Sequence, residues 1–218
     1  MNQYREMFEY VRHCLEKQCV NLPEAGMGKL GISYSRYQHI VRVYKWMLRI
    51  SAQLKADQMD MESLKIATIF HDIGYGMDGE KEPHAKISAK MCQDYLEERN
   101  YSHQKVEFIC SLIERHSMKR LLYSKNTEIE LIVLMEADLL DDTGAQGILI
   151  DAWIEAGEKN VSFDSMLRHI KKYTYRHMRQ TNLVTAPGKR FWHEKRKLTY
   201  EFVRQLERDL GYDELERR

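Results

Sequence analysis

The sequence predicts an all-α fold. Three observations predict it. Apolar residues recur at helical spacing in nearly every segment, no segment shows sustained strand alternation bounded by hairpin turns, and the 218 residues contain only three prolines, Pro23, Pro83 and Pro187. A chain of this length buries a substantial core in one domain, at most with a small appendage. The expectation is therefore a single compact multi-helix domain over 1–218.

The elements follow in order. Segment 3–20 carries Met7, Phe8, Val11 and Leu15 on one stripe. Segment 36–55 opens with Ser35 and Gln38 at capping-box spacing and carries Ile40, Tyr44, Met47 and Leu48. Segment 60–72 runs into Gly74 and Gly76, and 84–99 follows Pro83. Segment 103–117 carries Val106, Ile109, Cys110 and Ile113. Segment 128–142 starts with Thr127 and Glu130, a second capping-box pattern, and stops before Gly144. Further helices are expected at 146–157, 162–180 and 191–210. The longest loops are then 21–34, 73–83, 117–127 and 181–190, and loops of this kind often carry binding residues.

Bulk properties narrow the function. No run of 18 apolar residues exists, so no membrane span is expected, and the charged start MNQYREMFEYVRHCLEKQ has no secretory apolar core. Cys14, Cys19, Cys92 and Cys110 show no CxxC spacing, which fits reduced thiols and a cytoplasmic location. The net charge of +1 conceals an asymmetry: ten Lys or Arg and a single acid, Glu194, lie between Arg168 and Lys197. Such a block suits a phosphate-bearing ligand, or is simply a solvated helix face. Tyr173, Tyr175, Phe191 and Trp192 interleave with it, but aromatics at helical spacing are more often core than stacking platforms, so nucleic acid is not expected. The stretch Thr185–Arg190 sets two cations on a flexible loop without Walker spacing.

The chemistry sits in polar residues placed on apolar faces, where an unpaired polar group is costly. His71-Asp72 closes the apolar run LKIATIFHDIG, which begins at Leu64; His39 lies 32 residues earlier and Asp138 well after. His84 shares a face with Ile87 and Met91, and His116 with Ile109, Leu112 and Ile113. One such histidine is usually a satisfied core residue. Several on successive helices would need many separate partners, whereas one or two metal ions satisfy them together. A set of imidazoles and carboxylates suits Mn, Fe, Mg, Co or Ni; a closed structural zinc site would more often recruit cysteine. No organic cofactor is evident.

The order H…HD…D resembles the HD-domain superfamily of metal-dependent phosphohydrolases. It stands as His39-Ile-Val-Arg-Val, Ile66-Ala-Thr-Ile-Phe-His-Asp-Ile-Gly and Glu136-Ala-Asp-Leu-Leu-Asp-Asp-Thr-Gly-Ala, within a match running from about residue 33 to 150. The resemblance implies an HD-type helical domain, helices 160–212 packing on its core, and His39, His71, Asp72 and Asp138 around a divalent metal. Some members hold a second metal with two further histidines, and His84 and His116 occupy suitable positions. Each could instead bind substrate or transfer protons beside a single metal.

The reaction this implies is hydrolysis of a small phosphate ester, such as a nucleotide, by metal-activated water. Cations would offset the phosphate charge. Arg42, one turn from His39, is the preferred catalytic cation alongside His84 and His116; it could also orient a carboxylate. Lys86, Lys119 and Arg120 lie near the extra histidines, and for Lys119 and Arg120 simple surface charge is the expectation. Asp141 and Asp142 could orient a ligand, cap the helix or face solvent. Two other functions stay open: a two-iron oxygenase of the kind myo-inositol oxygenase represents, and a regulatory module that binds a nucleotide without turnover. The guanosine tetraphosphate hydrolases resemble one another in a Glu-Asp pair after the HD region, which is missing here. Metal number, substrate and oligomeric state are not fixed by the sequence.

Overall fold

The computed structural model describes residues 3–19, 29–55, 59–77 and 83–212, and among them there is no strand. The helices are α1 (Gln3–Cys19), α2 (Lys29–Ser51), α3 (Met61–Phe70), α4 (His84–Glu97), α5 (His103–Arg115), α6 (Ile129–Asp141), α7 (Ala145–Ala156), α8 (Phe163–Ile170), α9 (Arg176–Gln180) and α10 (Ala186–Asp209). The chain forms two compact units, Met1–Asp138 and Leu139–Arg218, with the division inside α6. The fold is all-α. No helix among the described residues is long and apolar enough to cross a membrane.

In the first unit α3 is the central helix and packs against α1, α2, α4 and α5. From Ser63 to Phe70 only Lys65 escapes burial, as expected of a helix apolar nearly all round. Asp60 caps it, accepting from Glu62 N and Ser63 N at 3.1 Å each, a motif worth about 1 kcal/mol. The buried Thr68 hydroxyl donates to Leu64 O at 2.7 Å, so it costs the core no unsatisfied group. Phe70 meets Tyr95 of α4 and Tyr10 of α1 at ring separations of 5.0 and 6.1 Å; truncating it to alanine would cost about 3–5 kcal/mol. Phe8 of α1 sets its ring edge-on to Tyr44 of α2 at 5.1 Å, joining the first two helices.

In the second unit Ile148, Leu167, Ile170 and Val203 form a small core from α7, α8 and α10. Between α8 and α9 the helix widens into a π turn at Lys171–Tyr175. Asp151 of α7 accepts Thr174 N there at 3.1 Å. Gly147 makes the approach feasible, because a Cβ on it would stand 2.7 Å from Thr174 Oγ1.

Several expected boundaries shift. Helix α2 begins at Lys29, so Ser35 lies inside it, exposed, and caps nothing. Residues 21–28 of the expected 21–34 loop and 78–82 of the expected 73–83 loop lie outside the described residues. The Thr127–Glu130 capping box does not form: Thr127 Oγ1 donates to Leu121 O at 2.7 Å, and Glu130 Oε1 accepts Asp60 N at 2.6 Å. Helix α10 starts at Ala186, with Thr185 accepting Gly188 N at 3.0 Å and Pro187 in the first turn. Lys189 and Arg190 are therefore helical rather than on a flexible loop, since proline and a threonine cap favour helix initiation.

Candidate metal centre

Six side chains that the sequence scatters over 100 positions meet in the first unit, most of them at helix ends. His39 projects from within α2. His71 is the residue that ends α3 and Asp72 follows it in the turn; His84 opens α4; His116 ends α5; Asp138 lies in the last turn of α6. His39, His71, Asp72, His116 and Asp138 are all buried, and His84 is partly exposed.

His71 Nε2 lies 3.4 Å from His39 Nε2, and His39 Nε2 lies 3.2 Å from Asp138 Oδ1. Asp72 divides its two oxygens. Oδ2 faces His39 and His71 at 3.6 and 3.7 Å, whereas Oδ1 faces His84 and His116 at 3.3 and 3.4 Å. Two ligand groups result, His39/His71/Asp138 and His71/Asp72/His116, each tight enough for its atoms to share one ion.

The protonation pattern favours a cation. His71 Nδ1 lies 2.8 Å from Thr68 O, and His116 Nδ1 lies 2.6 Å from Ile113 O. A carbonyl only accepts, so each Nδ1 carries the proton and each Nε2 turns a lone pair inward, as metal-ligating histidines commonly do. Burial pushes the His71 imidazole down to about 4, so it is neutral at neutral pH. The carboxylates take the opposite course. Burial opposes charge on Asp72 and Asp138, yet the Arg36 guanidinium beside the first and the Lys119 ammonium beside the second favour it, and both carboxyls lie well below the usual carboxylate range. Inward lone pairs thus face carboxylate oxygens. Asp72 Oδ1 is buried without a hydrogen bond, and a buried acceptor in that state calls for a cation. The donor set fits a divalent metal.

Arg36 and Lys119 bring side-chain cations to the carboxylates of the site. Arg36 Nη1 contacts Asp72 Oδ2 at 2.7 Å, and Lys119 Nζ contacts Asp138 Oδ2 at 2.5 Å. Lys119 is therefore not simple surface charge, whereas Arg120 and Lys86 are exposed. Arg42 is half-buried one turn beyond His39. Arg36 lies one turn before His39, and spacing alone ranks the two arginines equally. Asp141 is buried and Asp142 exposed.

Residues 36–143 match the family model described as the HD domain. The chain belongs to the HD-domain superfamily. No curated protein matches it in sequence. Among solved structures, the HD domain and its flanking helices resemble an HD-superfamily hydrolase from Bacillus thuringiensis, at 18% identity over 96% of this chain and 97% of that one, with a TM-score of 0.68. They also resemble Bacillus subtilis YpgQ, solved in complex with ADP, at 18% identity over 94% and 96% of the two chains and a TM-score of 0.62. A third, a predicted HD-superfamily hydrolase from an uncultured Thermotogales bacterium, is 16% identical over 93% and 92%, with a TM-score of 0.60. At these identities the likeness establishes a shared fold.

Proposed function

We propose that this HD domain is a metal-dependent phosphohydrolase acting on a small phosphate ester of the nucleotide class. The observation that carries the reading is the divided carboxylate of Asp72, one oxygen toward His39 and His71 and the other, without a hydrogen bond, toward His84 and His116. The ADP bound to the similarly folded Bacillus subtilis protein supports a nucleotide as the substrate class.

In this reading His39, His71, Asp72 and Asp138 would hold the first divalent ion, and His84, His116 and Asp72 would hold a second. When bound, such ions supply Lewis acidity and, from water at neutral pH, a hydroxide nucleophile. The protein's own groups do the rest. The Nδ1–H bonds of His71 and His116 to backbone carbonyls fix both rings with Nε2 inward. Lys119 and Arg36, each already against a ligand carboxylate, supply positive charge where a phosphate's oxygens would lie. Arg42, one turn from His39, adds a further cation on the same helix. The buried walls around His71 exclude bulk water and strengthen these interactions.

The test is metal analysis of the purified protein, then a panel of phosphate esters and nucleotides with Mn, Co, Ni and Mg with and without oxygen. Phosphate release without oxygen is expected. Turnover that requires iron and consumes oxygen would replace hydrolysis by the oxygenase reading, which the same six residues also serve. Metal binding and nucleotide binding with no turnover would leave a regulatory module.

A further inference from the structure

The residues just after the HD pair, Gly74-Tyr75-Gly76, have no part in the ligand set, yet they are built into the site. Tyr75 N–H donates to Asp72 O at 3.1 Å, which closes a turn that begins at Asp72. Gly74 presses this turn onto α4. A Cβ there would stand 2.8 Å from Ile87 Cγ2 and 2.9 Å from Ser88 N, and Gly74 N donates to Ser88 Oγ at 2.9 Å. Gly76 takes a φ of 85°, which an L side chain rarely adopts, and so lets the chain leave the turn. The turn is thereby pinned beside the first residue of α4, His84.

The ring of Tyr75 lies in this pinned turn and touches both groups that flank Asp72. The Arg36 guanidinium carbon stands 3.4 Å over its centroid. His84 meets the ring in an edge arrangement at 5.7 Å. Arg36 in turn holds Asp72 Oδ2 at 2.7 Å, and His84 Nε2 faces Asp72 Oδ1 at 3.3 Å. One aromatic side chain therefore contacts a partner of each carboxylate oxygen. Stacking fixes the plane of a guanidinium, and with it the directions of its N–H bonds.

We propose that Tyr75 is a positioning residue of the metal centre: its ring holds the Arg36 guanidinium and the His84 imidazole about Asp72, so that Arg36 meets a phosphate oxygen in one fixed orientation. This rests on the phosphohydrolase reading. Tyr75 acts through Arg36 and needs no hydroxyl for it, because the face of the ring does the work. Phenylalanine and tryptophan should therefore replace it, and leucine or glutamine should not.

The experiment uses the full chain, titrated first with Mn²⁺ and then, once loaded, with inorganic phosphate. Wild type should bind both. Tyr75→Leu and Tyr75→Gln should weaken phosphate by about fivefold, the scale of a partly exposed cation–π contact, while Tyr75→Phe and Tyr75→Trp match wild type. In an Arg36→Ala background Tyr75→Leu should lose most of its effect, since the guanidinium contact is already gone and only the His84 contact is left to remove. Tyr75 is exposed and circular dichroism checks that each variant folds; glutamine and tryptophan carry the comparison if leucine does not. Wild-type phosphate affinity in Tyr75→Gln, failure of phenylalanine to restore it, or an undiminished loss in the Arg36→Ala background would each overturn the proposal. Wild type that takes Mn²⁺ but not phosphate would overturn it too. Wild type that takes no divalent metal would instead sink the phosphohydrolase reading, and this inference with it.

Discussion

His71 and His116 are oriented by the same device: each sets Nδ1 against the carbonyl three residues earlier, at 2.8 and 2.6 Å, with the two rings edge to face at 5.1 Å. Each stands where its helix ends, so the ring uses a carbonyl of the last turn, a group helix ends commonly leave without an intrahelical partner. The Ile113 carbonyl also accepts the His116 backbone N–H at 3.3 Å, so one carbonyl serves both the helix terminus and the ring.

Removing the shared carboxylate should strip the site. Asp72→Ala is expected to remain folded by circular dichroism while losing divalent-metal affinity by ~100-fold or more, because it deletes the oxygens that face both histidine pairs. Metal content equal to wild type in this variant, measured by elemental analysis, would refute the ligand assignment.

His116 distinguishes one ion from two. His116→Ala should lower the metal stoichiometry of the loaded protein by one, since His116 Nε2 belongs to the Asp72 Oδ1 side of the site. His84→Ala should act in the same direction. Unchanged stoichiometry together with reduced turnover would assign these imidazoles to phosphate binding or proton transfer beside a single ion.

Lys119→Met removes a charge and keeps an apolar stem. Metal content should persist, because His39 and His71 remain, but kcat/KM for the best substrate of the panel should fall by roughly 100-fold. A fall no greater than that of Arg120→Met, an exposed neighbour, would return Lys119 to the ordinary surface.

The second unit offers a pH prediction away from the metal. Burial raises the Asp151 carboxyl above the usual aspartate range, even though Thr174 N–H donates to it. A carboxyl whose folded pKa is raised contributes stability that is present at low pH and lost as pH rises through the folded value. Asp151→Asn keeps the acceptor for Thr174 and removes the charge. It should therefore raise the melting temperature at pH 7, with an advantage that shrinks as the pH is lowered below the aspartate range. An advantage independent of pH would show that the charge is not the cause.

The helices, and the H…HD…D ligand order that resembles one family, were legible in the sequence. Helical periodicity is a local property: Met7, Val11 and Leu15 share a face because a helix repeats every 3.6 residues, whatever the rest of the chain does. His39, His71, Asp72, His84, His116 and Asp138 stood out for the same local reason, as polar groups on apolar stripes. Start signals were less secure. Ser35 and Gln38 have capping-box spacing, but the helix begins earlier, and the cap pattern at Thr127 and Glu130 was diverted when the Asp60 N–H and the Leu121 carbonyl became their partners. Only the tertiary structure decided which cations reach the site. Arg36 and Arg42 lie one turn to either side of His39, and Lys119 finds Asp138 across 19 residues. It also decided that Tyr75 would lie between Arg36 and His84. Spacing along the chain says which residues share a face of one helix; which faces of different helices meet is set by packing, and the pairing of charges follows from that.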